Sequence, residues 1–429
     1  MGDQKYLSTV VPDLDAIGTS KNTLYYSTSD VIVKEVQSDN LQGKYTQTLT
    51  SLAFGSTSEV SIPNNNSISE TYLYLSLAPI ADTNIVLPQA WGYGAIRSIN
   101  YTWGASNVSV VELSGESIFQ HMHLSCESSE KRAEMLDLAG SPLGTADPRT
   151  AAHEAVLILP LPWSTIRKQA KKLGYDTSLL DSNIQVQVTF NDANHFMGVI
   201  TGAPATTLPN SWQRGEIFLK QDVLTNKMDS MRQTLKQNPQ LMVQYPFVHR
   251  QNGTRRFIQS AATGTSQEVN LQSFLESDLL GIGFYAVATA DERSTGAAGS
   301  VANKFNTIRC RDIELLYNGQ VVHKLPYHAA ELIQLELDIG ASTCPKTTVS
   351  AAGVPTADSV YHCYYLPMTK MKSVIFEGEY ENTSRFANQT QQLRFTPEIG
   401  APTDLTFHSI YFYNGLCSTS SGVSKITFS

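Results

Sequence analysis

The chain has 429 residues, of which 41% are aliphatic, aromatic or Cys and 16% are charged, a balance that excludes an intrinsically disordered protein and supplies apolar side chains for more than one core. All-β barrels and sandwiches run to roughly 200–250 residues, so two β domains fit the length as well as three mixed ones. The net charge is −8 and the basic residues are scattered, densest at 167–172 and at Arg255-Arg256; without the clustered basic stripe of a duplex-binding surface, no direct nucleic acid contact is expected.

Residues 1–44 are polar and weakly periodic and form an arm and lead-in. From 59 to 77 a short strand, an Asn-rich turn at 64–66 and a β-rich run predict a hairpin. A second hairpin follows at 95–113, where Ile96, Ile99, Tyr101 and Trp103 approach a turn at 104–107 and Val108, Val110 and Val111 leave it. The period then changes, and 114–139 reads as a helical excursion inserted between strands. The most apolar run, 156–163, contains Pro160 and Pro162 and predicts a strand ending in an extended turn, with a short basic helix at 165–173 after it. Ile184, Val186, Val188 and Phe190 alternate with Gln and Thr as in a half-buried strand, and a strand at 216–219 closes this half.

Leu224, Met228, Met231 and Leu235 give 222–240 a helical character, and a new strand begins at Met242, so the domain boundary is placed in that linker, with a first barrel at 45–221 and a second at 241–429. The second half opens with strands at 268–270 and 279–288. Its hairpin at 313–321 echoes the first: Ile313 to Tyr317 stands 214 residues after Ile99 to Trp103 (313 − 99), and Lys324-Leu325 stands 212 after Glu112-Leu113 (324 − 112). Both hairpins lead into helix-like segments, the second at 327–337, and strand-like runs at 363–367, 371–379, 391–397, 405–413 and 424–428 complete the chain. Similarity at so long a period means a duplicated unit. About eight strands per half, with no helical layer, predict an all-β fold of two consecutive eight-stranded jelly-roll barrels with short helical excursions.

Several runs then become specific: Ile-Glu-Leu-Leu-Tyr-Asn-Gly-Gln-Val at 313–321, Leu-Pro-Leu-Pro-Trp at 159–163, Ile-Tyr-Phe-Tyr-Asn-Gly-Leu at 410–416 with Ile-Thr-Phe at 426–428, and the passage from the strand at 216–219 into Gln-Tyr-Pro-Phe at 244–247. In these the chain resembles the double jelly-roll major capsid proteins shared by large double-stranded DNA viruses, virophages, polinton-like viruses and tailless membrane-containing phages. The matches span 59–428, and the chain is short for the group, which implies trimmed surface loops. The resemblance implies a homotrimer that presents six barrels in a near-hexagonal outline and tiles an icosahedral virion shell. It implies neighbouring capsomer trimers, penton proteins and minor capsid proteins as partners, with an internal membrane as a further neighbour that the sequence does not address. Two other readings stay open: a carbohydrate-binding or carbohydrate-cleaving β-sandwich, and a minor coat or scaffold relative with the same barrels.

No catalytic, cofactor-binding or metal residue is assigned. The phosphate loop, dinucleotide fingerprint, nucleophile elbow and His-Glu-x-x-His helix are all absent, so the chain reads as a non-enzyme with no cofactor. His121 and His123 would share a face on an extended segment, but no third ligand lies near, and His323 and His328 are read the same way, as structural histidines. Asp13 and Asp15 lack the ligand spacing and Gly of a calcium loop. Glu377, Glu379 and Glu381 read as an exposed acidic face, and Tyr364, Tyr365, Tyr411, Phe412 and Tyr413 as core and not a sugar platform. Cys126, Cys310, Cys344, Cys363 and Cys417 include no Cys-x-x-Cys pair and are expected as reduced, mostly buried thiols. The N-terminus lacks the apolar core of a signal peptide and no run reaches the ~20 apolar residues of a membrane span, so the chain is expected to remain in the cytosol until assembly.

Overall fold

Alternation of apolar and polar residues sets the faces of the strands. In Ile184–Phe190 the side chains at 184, 186, 188 and 190 are buried and those between them look outward, and Gln391–Pro397 repeats the pattern. The computed structural model of the protein describes residues 23–24, 31–32, 46–63, 67–103, 108–126, 128–160, 175–177, 180, 182–204, 207–224, 242–259, 264–272, 278–325, 345–368, 381–382, 390–398, 404–420 and 423–428.

The first set of strands is β1 (Thr46–Thr48), β2 (Thr57–Ile62), β3 (Ser67–Leu77), β4 (Ile96–Trp103), β5 (Val108–Leu113), β6 (His153–Leu159), β7 (Ile184–Phe190) and β8 (Arg214–Leu224). The second is β9 (Met242–Ile258), β10 (Gln267–Asn270), β11 (Asp278–Ala288), β12 (Cys310–Tyr317), β13 (Gln320–Leu325), β14 (Tyr364–Pro367), β15 (Gln391–Pro397) and β16 (Leu405–Ser420). Hydrogen bonding orders the first set as β1-β8-β3-β6 and β2-β7-β4-β5, and the second as β9-β16-β11-β14 and β10-β15-β12-β13. Adding eight to each strand number turns one order into the other, and every pairing is antiparallel. The same interleaved eight-strand order therefore occurs twice, which makes the chain a double jelly roll.

The 214-residue echo survives in three dimensions. Ile99 pairs with Leu113 across β4 and β5, Ile313 pairs with Leu325 across β12 and β13, and both ladders slip at the same place, Tyr101/Thr102 and Leu315/Leu316. The tip of the second hairpin is a two-residue turn with φ 49° at Asn318 and 77° at Gly319, the left-handed pair that a type I′ turn requires. The hairpin expected at 59–77 does not form: β2 pairs with β7 while β3 pairs with β8 and β6, so the two strands lie in opposite sheets. Their inward residues, Val60 and Ile62 on β2 and Leu73, Leu75 and Leu77 on β3, belong to one buried core. Local alternation fixes which face a strand buries but not which strand lies beside it.

Four helices interrupt the strands: α1 (Trp91–Ala95), α2 (Gly115–Ser125), α3 (Ser129–Leu138) and α4 (Thr289–Glu292). The excursion after β5 is α2 and α3, each opened by a serine whose hydroxyl accepts a backbone N–H, Ser114 from Ser117 and Ser128 from Lys131. Two dipeptides of the lead-in are laid on the chain's own barrels: Thr23–Leu24 runs parallel beside Met242-Val243, and Val31–Ile32 pairs with Val223-Leu224. β8 thus runs three residues into the expected linker, whose residues 225–241 lie outside the described residues. The helices expected at 165–173 and 327–337 and the strand at 371–379 lie outside them too.

Candidate functional site at the seam between the barrels

Because successive barrel strands alternate in direction, the β3-β4, β5-β6 and β7-β8 connections emerge at one end, and in both barrels these are the long ones. There they interlock. Ile85–Val86 pairs with Gly198–Val199, which pairs in turn with Ser300–Val301 from the β11-β12 connection, giving a small sheet built from both barrels. Gly198 is required here, since a Cβ would lie 2.6 Å from the Val301 Cα. The hairpin Pro345–Val349 and Pro355–Val360 of the β13-β14 connection is tied back by Thr145 N donating to Gly353 O at 2.9 Å and Thr347 N donating to Gln89 Oε1 at 2.9 Å. Beneath it an aromatic stack crosses the seam: Phe119 of α2 lies 4.1 Å from Phe305, 5.9 Å from Tyr285 and 5.7 Å from Tyr361.

Charges are buried in the same seam. Lys304 is ion-paired with Glu116 of α2, the lysine side chain 3% and the carboxylate 12% exposed. Glu292 of α4 accepts from His408 Nε2 at 2.5 Å and from Arg255 at 2.8 Å. Burial alone would raise both carboxyls, but Lys304 and His408 beside Glu116, and His408, Lys304 and Arg255 beside Glu292, hold each at about 2. Burial, reinforced by Lys304 and Arg293, pulls the His195 imidazole down to about 4. These groups border a polar cleft of about 480 Å³ between the barrels, whose lining includes Glu116, Lys304, His195, Arg255 and His408.

Alongside, β9 runs beside β5. Its buried Arg250 donates from Nε to His121 Nδ1 at 3.2 Å, and its Asn252 Oδ1 accepts the Ser114 N–H at 2.9 Å at the start of α2. Burial brings the guanidinium down to about 9, so it remains charged at neutral pH. Two barrels joined by an aromatic stack, a shared loop sheet and buried ion pairs form one plate and not two beads on a linker.

His121 and His123 lie in α2, where two residues are about 200° apart around the axis, so they do not share a face. His121 accepts from Arg250, and His123 packs 4.5 Å from the Phe119 ring with its pKa pushed well down, first by burial and then by Arg132. His323 is half-buried on β13, and His328, Asp13, Asp15, Glu377 and Glu379 lie outside the described residues. Glu381 belongs to Glu381–Asn382, paired with Asp278-Leu279. Tyr364, Tyr365, Tyr411, Phe412 and Tyr413 are all buried, as core and not platform. Cys126, Cys310 and Cys363 are free thiols. Among the described residues no group of three or more His, Cys, Asp or Glu side chains is placed to hold a metal ion, and no helix is long and apolar enough to cross a membrane. The residues that sequence reasoning missed are Glu116, Glu292, Lys304 and His408, which are far apart in the chain and carry no motif.

No protein-family model and no curated protein matches the chain. Its fold is that of solved double jelly-roll capsid proteins. The PBCV-1 virus capsid, in a quasi-atomic model, matches with a TM-score of 0.61 at 12% identity over 90% of this chain and 96% of that one. The Faustovirus major capsid protein matches at 0.54 with 6% identity over 87% and 90%, and the mavirus major capsid protein at 0.52 with 8% identity over 94% and 93%.

Proposed function

We propose that this protein is a major capsid protein that self-assembles into pseudo-hexameric trimers and tiles an icosahedral virion shell. The observation that carries the reading is the exact repetition of the jelly-roll strand order within one rigidly seamed chain. Two equivalent barrels per chain give six per trimer, an outline that fills a plane, and the solved structures sharing this fold over nearly its whole length are capsid proteins. The division proposed with it is a first barrel at 45–221, a connection at 222–240 and a second barrel at 241–429. In this role the chain carries out no turnover; its partners are its own copies, neighbouring trimers, and penton and minor capsid proteins, and its place is the virion.

The test is the mass of the purified chain by light scattering coupled to size exclusion, followed by electron microscopy of concentrated samples. Three copies of 47.1 kDa, about 141 kDa, with hexagonal outlines or shells are expected. A stable monomer that neither tiles nor forms shells would refute the proposal.

A further inference from the structure

One lateral barrel contact is made inside the chain: β5, the terminal strand of β2-β7-β4-β5, is flanked by β9 of the other barrel. β13 holds the same position in β10-β15-β12-β13, and among the described residues no strand pairs with its outer edge. Its residues 320–322 and 324 are exposed, including Val321 at 46% and Val322 at 42%. Edge strands in soluble proteins are guarded by charge, Pro or a covering element. Here Lys324 is drawn across the sheet to Glu314, at 2.7 Å, and two adjacent valines are left at the rim.

We propose that β13 docks a second copy of this chain, which presents β1 and its flank in a repeat of the β5-β9 contact. The inference rests on the reading of the protein as a self-assembling subunit, and adds the pair of surfaces that meet. β1 stands to the first barrel as β9 stands to the second: it heads β1-β8-β3-β6 as β9 heads β9-β16-β11-β14, and its outer edge is likewise unpaired among the described residues. The flank is polar, with Thr48 and Thr50 exposed, as β9 is polar where His249, Arg250, Gln251 and Asn252 pass β5 and α2. The two outer sheet faces are not interchangeable, which gives the contact a direction. One cross-strand row reads Glu59, Gln187, Asn100, Glu112 in the first barrel, and its equivalent in the second reads Glu268, Arg394, Glu314, Lys324. The second row is stitched by ion pairs from Arg394 to Glu268 and Glu314 and from Lys324 to Glu314. A head-to-tail contact of this kind can close into a ring, whereas pairing β13 with β13 stops at a dimer.

The experiment uses the full chain and the double variant Val321→Lys/Val322→Lys, with Val354→Lys as control, a valine 55% exposed on the loop hairpin away from β13. Light scattering gives mass and thermal unfolding gives fold integrity. The double variant is expected to run as a monomer with an unchanged melt, its half-assembly concentration raised by about a hundredfold or more, because two ammonium groups would be buried without partners. Val354→Lys should retain the wild-type mass. Bismaleimide cross-linking of a copy carrying Val322→Cys with one carrying Thr48→Cys should join the two copies at those positions by peptide mapping. If the double variant keeps the wild-type assembly, or the wild type is a dimer, the docking proposal fails and the capsid reading stands. A monomeric wild type sinks both.

Discussion

Lys304 and Glu116 are the clearest case of a residue pair whose value lies in being kept together. Removing one partner strands a charge in the seam, whereas replacing both with apolar or neutral groups of similar shape leaves nothing uncompensated. Lys304→Ala is therefore expected to cost about 3–5 kcal/mol in urea unfolding, and Glu116→Gln/Lys304→Met to recover most of it. The titration of the seam has a definite sign. Glu116 and Glu292 stand at about 2 in the fold against an ordinary 4.5, so the unfolded chain takes up the extra protons between those values: their contribution is complete above about 4.5 and is lost as the pH falls to about 2. His195 and His249 stand at about 4 against an ordinary 6.5, His249 through burial and then Arg250, so stability declines from about 6.5 down to about 4 as the unfolded imidazoles protonate first. Denaturant midpoints measured against pH should thus slope downward through both windows. His195→Gln should flatten the upper window and Glu116→Gln/Lys304→Met the lower. None of this was legible in the sequence: Glu116 and Lys304 are 188 positions apart (304 − 116), and buried partners at such distances leave no local pattern.

At the scale of elements, periodicity and turn chemistry carried most of the information. Asn318-Gly319 between two apolar runs announces a tight hairpin, and the structure supplies the reason in two consecutive left-handed residues. A Cβ on Gly319 would meet nothing within 4 Å, so Gly319→Ala isolates the backbone cost and should destabilise by about 1 kcal/mol, read from the urea midpoint with an unchanged slope. The echo between 99–103 and 313–317 was likewise visible because strand, slip and turn are all local. The opposite case is β2 and β3: adjacent in sequence, strand-like and separated by Asn, they resemble a hairpin, yet each pairs with strands more than 80 residues away. The loop sheet of Ile85–Val86, Gly198–Val199 and Ser300–Val301 was invisible for another reason, since dipeptides are too short to show any period.

The whole molecule follows from where the cores lie. One apolar cluster fills the second barrel, with Phe284, Leu315, Phe395 and Phe407 among its members. The other does not stop at the first barrel: Leu73, Ile99 and Val188 share it with Tyr285, Phe305, Tyr361 and Phe412. Tyr285 and Phe284 are neighbours on β11, so a single strand feeds both clusters from its two faces. A barrel-to-barrel contact made only of surface residues would let each half melt on its own. Here the second barrel cannot unfold without exposing aromatic side chains on which the first depends. Thermal unfolding of the chain is therefore expected to show one transition, with coincident far-ultraviolet and aromatic signals. Phe119→Ala, which empties the centre of the stack crossing the seam, should cost about 3–5 kcal/mol and shift that one transition as a unit. Two separated transitions, only one of them moved by Phe119→Ala, would mean that the barrels fold independently and that the seam is a docking surface rather than a shared core. A capsomer plate that must keep its outline while neighbours pack against every side gains from the first arrangement, because lateral load on either barrel is then carried by both.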